Sequence, residues 1–163
     1  MVSGLSVSGN QALGTTALSL ATVSGVSLAD VTVSADVTLP AVNGRAAGLV
    51  RRYGGPGSTN LYFGAIRFAG GVYSAVIFRN VGGTWTVLGT SASLGSANVS
   101  RNVRFHLVRT SLLLFVNNVM EVGRHRLGAG GRRRGAADDR GRHLRQLQLL
   151  LSLLGTFRTG RRL

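Results

Sequence analysis

The stretch Leu28-Ala29-Asp30-Val31-Thr32-Val33-Ser34-Ala35-Asp36-Val37-Thr38-Leu39 decides the fold class of this 163-residue chain. From residue 31 to residue 39 the odd positions are Val, Ala or Leu, and the even positions are Thr, Ser or Asp. This alternation predicts a β-strand with one buried and one polar face. Pro40 then ends the strand, because proline has no N–H to donate to a sheet. The strand therefore needs sheet partners elsewhere in the chain.

Further short apolar segments flank this strand on both sides. They are separated by Gly-Gly pairs, by Asn117-Asn118 and by the Gly-rich loop at residues 54–58, which are typical turn sequences. The spacing predicts roughly nine or ten strands, as in an antiparallel β-sandwich or barrel. No helix is predicted with assurance before residue 140. The remaining predicted strands cover residues 5–13, 17–23, 46–53, 60–68, 72–80, 84–90, 103–109 and 111–116.

The composition changes at about Gly123, which divides the chain into two predicted parts. Residues 1–122 carry 8 Arg and 3 acidic residues, whereas residues 123–163 carry 11 Arg and 2 acidic residues. The chain has no Lys, and we attribute its use of Arg to GC-rich codons rather than to selection for anion contacts. It has no Cys, which excludes disulfides, thiolate metal sites and Cys nucleophiles. We predict a β-sandwich over residues 1–122 and an irregular or weakly helical tail of low order over residues 123–163.

Six motifs in residues 48–118 resemble a known superfamily. The motifs are Gly48-Leu49-Val50-Arg51-Arg52-Tyr53, Asn60-Leu61-Tyr62-Phe63, Tyr73-Ser74-Ala75-Val76-Ile77, Gly82-Gly83-Thr84-Trp85-Thr86-Val87-Leu88, Arg104-Phe105-His106-Leu107-Val108 and Leu112-Leu113-Leu114-Phe115-Val116-Asn117-Asn118. In this order they resemble the concanavalin A-like lectin/glucanase superfamily, in its bacterial LamG-like branch. The resemblance covers about residues 5–122 and implies an antiparallel jelly-roll β-sandwich. Its motifs are strand-packing patterns, so they indicate a fold more than an activity.

The resemblance implies a non-catalytic carbohydrate-binding or adhesion-type module of a bacterial extracellular protein. A structural spacer module without a ligand is the alternative. A glycan hydrolase is disfavoured, because Asp30, Asp36 and Glu121 are the only acids before the tail and none has the close spacing of paired catalytic carboxylates. The family resemblance makes calcium possible, but the scarcity of acidic ligands leads us to expect no cofactor. The three His residues have no metal-ligand spacing, so we expect no zinc site either.

Six residues are candidate glycan contacts, and each has a structural alternative. Trp85 can stack on a sugar ring or pack on the sandwich. Tyr53 and Tyr62 flank the loop at residues 54–59 and face the same choice. Arg52, the Arg of the resembled Arg-Tyr motif, can bind a sugar or pair with Asp36. Arg79 can contact a ligand or, like its neighbour Asn80 at the same strand end, simply be solvated. Asn60, beside the loop, can hydrogen-bond a ligand or stabilise the turn.

The tail lacks the last strand of the resembled family. A reading frame shifted by one base is compatible with that strand, since His143-Leu144-Arg145-Gln146-Leu147-Gln148 can give Thr-Phe-Asp-Asn-Phe-Ser. We therefore interpret the tail as the product of a frameshift near residues 122–131, which the nucleotide sequence tests. Residues 146–154 are either a short amphipathic helix or a non-native strand that covers the exposed sheet edge.

Three sequence features concern the binding partners and the localisation of the protein. Arg132-Arg133-Arg134 predicts non-specific, salt-sensitive anion or nucleic-acid binding, but no module for specific nucleic-acid recognition is present. No segment approaches the length of a membrane-spanning helix. The first residues, Met1 to Leu5, lack a signal-peptide pattern, so the sequence leaves the localisation unknown. The family resemblance implies a secreted or cell-surface parent protein.

Overall fold

The computed structural model describes residues 2–3, 5–8, 11–15, 19–23, 31–52, 59–108, 111–125, 147–152 and 156–158. Within these ranges the regular structure is entirely β, with fourteen strands and no helix. The strands are β1 (Val2–Ser3), β2 (Leu5–Ser8), β3 (Gln11–Gly14), β4 (Ser19–Val23), β5 (Val31–Thr38), β6 (Ala46–Arg51), β7 (Asn60–Ala69), β8 (Val72–Val81), β9 (Thr84–Ser93), β10 (Arg101–Val108), β11 (Ser111–Val116), β12 (Val119–His125), β13 (Leu147–Ser152) and β14 (Thr156–Arg158).

The strands form two seven-stranded sheets in which neighbouring strands run antiparallel. The first sheet has the order β1-β4-β13-β6-β7-β8-β9, and the second has the order β12-β11-β10-β5-β14-β3-β2. Neighbouring strands such as β5 and β10 in the second sheet are far apart in sequence. The chain therefore crosses between strands that are not consecutive, in addition to turning in hairpins. The predicted all-β, antiparallel sandwich is confirmed.

Strand β5, which decided the fold class, occupies an interior position of the second sheet. It pairs with β10 on one side and β14 on the other. Val33, Ala35 and Val37 are buried, whereas Thr32 and Ser34 are exposed. The alternation in the sequence therefore correctly predicted which side chains of β5 enter the core.

The core lies between the inner faces of the two sheets and is well filled at its centre. Phe105 on β10 and Leu114 on β11 are fully buried there, and their side chains approach the backbone of Gly64 on β7. Tyr73 is also fully buried, and its hydroxyl donates a 2.8 Å hydrogen bond to the carbonyl oxygen of Leu39. The Arg101 guanidinium lies 4.4 Å from the centre of the Tyr73 ring, so a cation–π contact joins β8 to β10.

Strands β13 and β14 belong to the tail, and β13 lies in the first sheet whereas β14 lies in the second. Leu147–Ser152 lies between β4 and β6, and Thr156–Arg158 lies between β3 and β5. For residues 147–152 the weakly helical alternative therefore gives way to the strand alternative. The strand fills an interior position of the first sheet rather than covering a sheet edge, so the edge-covering alternative is wrong. The domain boundary at residue 122 and the frameshift stay predictions.

The described residues include no helix long and apolar enough to cross a membrane.

Candidate functional site

Trp85 lies on the outer face of the first sheet, at the hairpin between β8 and β9. Alternation along β8 places Tyr73, Ala75 and Ile77 in the core between the sheets, so the even positions face outward. Asn80 is one of these outward positions, and Trp85 is its direct partner on β9. Trp85 is 42% exposed, which makes it a large aromatic side chain that a ligand can reach.

Two phenylalanines support the Trp85 indole on this face. Phe63 on β7 and Phe78 on β8 are stacked, with ring centres 5.8 Å apart. The Trp85 ring meets both edge-on, at 6.3 Å from Phe63 and 6.2 Å from Phe78. We call Phe63, Phe78 and Trp85 the aromatic cluster. Edge-to-face contacts of this kind are a favourable arrangement for aromatic pairs.

The aromatic cluster continues a second, smaller apolar cluster on the same outer face. Val50, Leu61 and Phe63 are buried there, and Phe78 packs against them. On β9, by contrast, Trp85 and Val87 are exposed. The outer face is therefore closed over β6 and β7 and accessible at β9, so Trp85 stands at the boundary.

Asn80 is a buried polar residue within this otherwise apolar part of the outer face. It lies between Leu61 on β7 and Trp85 on β9 in the register of the sheet, and it is only 1% exposed. Neither the nitrogen nor the oxygen of its amide has a hydrogen-bond partner. A buried polar group without a partner destabilises a fold, and such groups are uncommon in native proteins. The expectation that Asn80 is a solvated strand-end residue is therefore wrong, because the apolar outer face buries it.

Of the other predicted site residues, Tyr62, Arg79 and Asn60 lie on the inward side of their strands and not on the face of Trp85. Tyr62 belongs to the core between the sheets and is 7% exposed, which favours its packing alternative. Arg79 on β8 directly opposes Tyr62 on β7 and therefore lies on the same inward side of the sheet, but its side chain is exposed. The Oδ1 atom of Asn60 accepts a 3.4 Å hydrogen bond from the backbone N–H of Gly82, which matches its turn alternative.

Arg52 directly follows Arg51, the last residue of β6. Arg52 is half-buried and has a φ of 50°, in the left-handed region that non-glycine residues seldom occupy. Its suggested partner Asp36 accepts a 2.8 Å hydrogen bond from Asn102. Tyr53 and the adjoining loop at residues 53–58 lie outside the described residues. Any ligand contact by Arg52 or Tyr53 therefore stays a prediction.

A second polar and aromatic group lies on the outer face of the second sheet, and the sequence analysis missed it. The Arg104 guanidinium lies 4.5 Å from the centre of the Phe115 ring, and the His106 ring lies 5.0 Å from it. The Nδ1 atom of His106 is 3.3 Å from the hydroxyl of Thr32. Thr32 and His106 are 74 residues apart, so only the pairing of β5 with β10 brings them together.

The environment of His106 favours its uncharged form. Burial of the imidazole lowers its pKa below the usual value, and the positive charges of Arg104 and Arg51 lower it further. An uncharged imidazole can both donate and accept a hydrogen bond. In the part of the chain that the structure describes, no three His, Asp or Glu side chains come together as metal ligands.

The comparisons with known proteins agree with the architecture. No protein-family model matches the sequence, and no curated protein matches it. Solved structures do match, among them a carbohydrate-binding module, CBM66, from Bacillus subtilis. Its TM-score is 0.67 at 15% sequence identity, and the match covers 94% of this chain and 87% of that chain. At this identity the similarity shows a shared β-sandwich fold alone.

Proposed function

We propose that this chain is a non-catalytic carbohydrate-binding module. The observation that carries the proposal is the half-exposed indole of Trp85, which packs against Phe63 and Phe78 on the outer face of the first sheet. A sugar ring presents an apolar C–H face that packs on an exposed indole, while its hydroxyls need nearby polar groups. The similarity to a carbohydrate-binding module supports the proposal at the level of the fold.

The positions of the acidic residues support a module without hydrolytic activity. Retaining and inverting glycosidases need two carboxyl groups about 5–9.5 Å apart. Of the acids before the tail, Asp36 lies on β5 and Glu121 on β12, with β10 and β11 between them. Three strand spacings put these backbones roughly 14 Å apart. Asp30 lies outside the described residues.

The finer assignment rests on the sequence motifs. We propose that the module is of the concanavalin A-like, LamG-like type and serves a secreted or cell-surface bacterial protein in glycan binding or adhesion. The Gly48–Tyr53 and Gly82–Leu88 motifs support this assignment.

Affinity electrophoresis in gels that contain soluble polysaccharides tests the proposal. We expect retardation by at least one glycan, and binding by Trp85→Ala about tenfold weaker or more, because truncating a central aromatic anchor typically costs roughly 2 kcal/mol. Met120→Ala is the matched control, since Met120 is also an exposed apolar residue but lies on the second sheet. Thermal unfolding shows whether each variant is folded. If no polysaccharide retards the wild type, the alternative of a spacer without a ligand is correct.

A further inference from the structure

Asn80 is buried in an environment that an apolar residue would suit better. Its neighbours across the strands are Leu61 and Trp85, and the residues of the adjacent outward row are Phe63, Phe78 and Val87. An Asn amide brings two donors and an acceptor to this site, and none of them is used. A Leu of similar size would fill the space without leaving polar atoms unpaired. Folding alone therefore does not explain the Asn at this position.

The Trp85 indole lies where it can cover the Asn80 amide. Trp85 is on β9 and Phe63 is on β7, with β8 between them. Their backbones are about 10 Å apart, at two strand spacings, yet their ring centres are only 6.3 Å apart. The two rings must therefore lean towards each other over β8, where Asn80 directly opposes Trp85. With 42% of its surface exposed, the indole has room to swing away.

We propose that the amide of Asn80 and the indole of Trp85 form one sugar-binding subsite. The inference rests on the proposed function and deepens it. In the free protein the indole lies over the amide and leaves it unpaired. When a sugar binds, the indole moves aside and packs against the sugar's C–H face, and two neighbouring hydroxyls pair with the nitrogen and oxygen of the amide. The hydrogen bonds that the fold lacks are thus made with the ligand.

The charges around this subsite identify the class of sugar. Strand β9 has no charged residue, and the described outward positions beside Asn80 are also uncharged. Arg79 adjoins Asn80 in sequence but lies on the opposite face of β8. These described positions carry no cation and so offer no partner for a sulfate or uronate group. A neutral chain of β-linked hexopyranoses fits best, because equatorial hydroxyls leave both ring faces flat for stacking.

Two hexasaccharides, cellohexaose and laminarihexaose, serve as probes for the full chain. Binding is measured by isothermal titration calorimetry and by fluorescence, which reports on Trp85 alone because the chain has a single Trp. We expect wild type to bind one of them with a saturable change in emission. Asn80→Leu should bind about tenfold more weakly or worse, the loss expected when two hydrogen bonds to a ligand are removed. Its melting temperature should equal or exceed that of wild type.

Ser74→Ala is the matched control, because Ser74 is a buried polar residue on the same face of β8. It lies six residues from Asn80, roughly 20 Å along the strand, so its affinity should match wild type. Asn80→Ala serves as a second variant if Asn80→Leu fails to fold. Equal binding by wild type and the folded Asn80 variants overturns the subsite but leaves the proposed function standing. If wild type binds neither hexasaccharide but is retarded by another polysaccharide, the subsite is likewise overturned and the proposed function stands. Failure with every glycan overturns both.

Discussion

Replacement of Gly64 by Ala should destabilise the sandwich by overfilling its core. A Cβ atom on Gly64 would lie 2.7 and 2.8 Å from two ring carbons of Phe105 and 3.0 Å from a methyl carbon of Leu114. Ordinary carbon contacts are about 3.5–4.0 Å, so the ring would have to move by roughly 1 Å. Phe105 and Leu114 are both 0% exposed, which leaves no solvent-facing direction for that movement.

The expected loss follows from these distances. Overfilling a packed core typically costs about 1–3 kcal/mol, while Gly→Ala gains about 0.4–1 kcal/mol by restricting the unfolded chain. Because two buried side chains block the new methyl, we expect a net loss of about 2 kcal/mol in the free energy of unfolding. For a chain of this length that lowers the melting temperature by roughly 4–8 °C. Urea unfolding followed by circular dichroism measures the free energy.

Two further variants separate overfilling from a general effect of Ala in a strand. Gly123→Ala on β12 would place its Cβ 3.4 Å from the nearest atom, a Leu113 methyl carbon, so its stability should stay close to wild type. Phe105→Leu removes the obstructing ring, and the double variant with Gly64→Ala should lose less than the sum of the two single losses, by about 0.5 kcal/mol or more. Stability of Gly64→Ala within about 0.5 kcal/mol of wild type, or strict additivity, would refute the packing argument.

Two other predictions concern stability and pH. Tyr73→Phe should cost about 1–2 kcal/mol in urea unfolding, since the buried Leu39 carbonyl loses its donor; an unchanged midpoint would contradict this. Because burial lowers the pKa of His106, the unfolded chain takes up a proton near pH 6.5 while the folded chain resists it. Wild-type stability should therefore fall as pH drops below about 6.5, and His106→Gln should show a flatter melting-temperature profile from pH 7 to 5; identical profiles would exclude the role of His106.

The sequence predicted the strands well because alternation is a local property. From Val33 to Val37 on β5 and from Val103 to Leu107 on β10, each inward residue is apolar and each outward one is polar or partly exposed, so the buried faces followed directly. The sequence did not predict which strands share a sheet, because this depends on pairings between distant segments, such as that of β13 with β4 and β6. A run like Leu147–Ser152 has apolar residues at both helical and strand spacings. Only its neighbours in the sheet distinguish the two forms.

The candidate site shows a different limit of the sequence. Trp85 and Tyr62 both had a choice between contacting a ligand and packing in the fold. Trp85 faces outward on the edge strand β9, whereas Tyr62 faces the opposite sheet. That difference depends on burial of both faces of β7, which hides the alternation that made β5 easy to interpret. The same double burial conceals Asn80, because a polar residue is noticeable only once its surroundings are known to be apolar. Residues whose chemistry conflicts with their packing are thus the ones that a sequence hides and a structure reveals, and they are where binding sites are best sought.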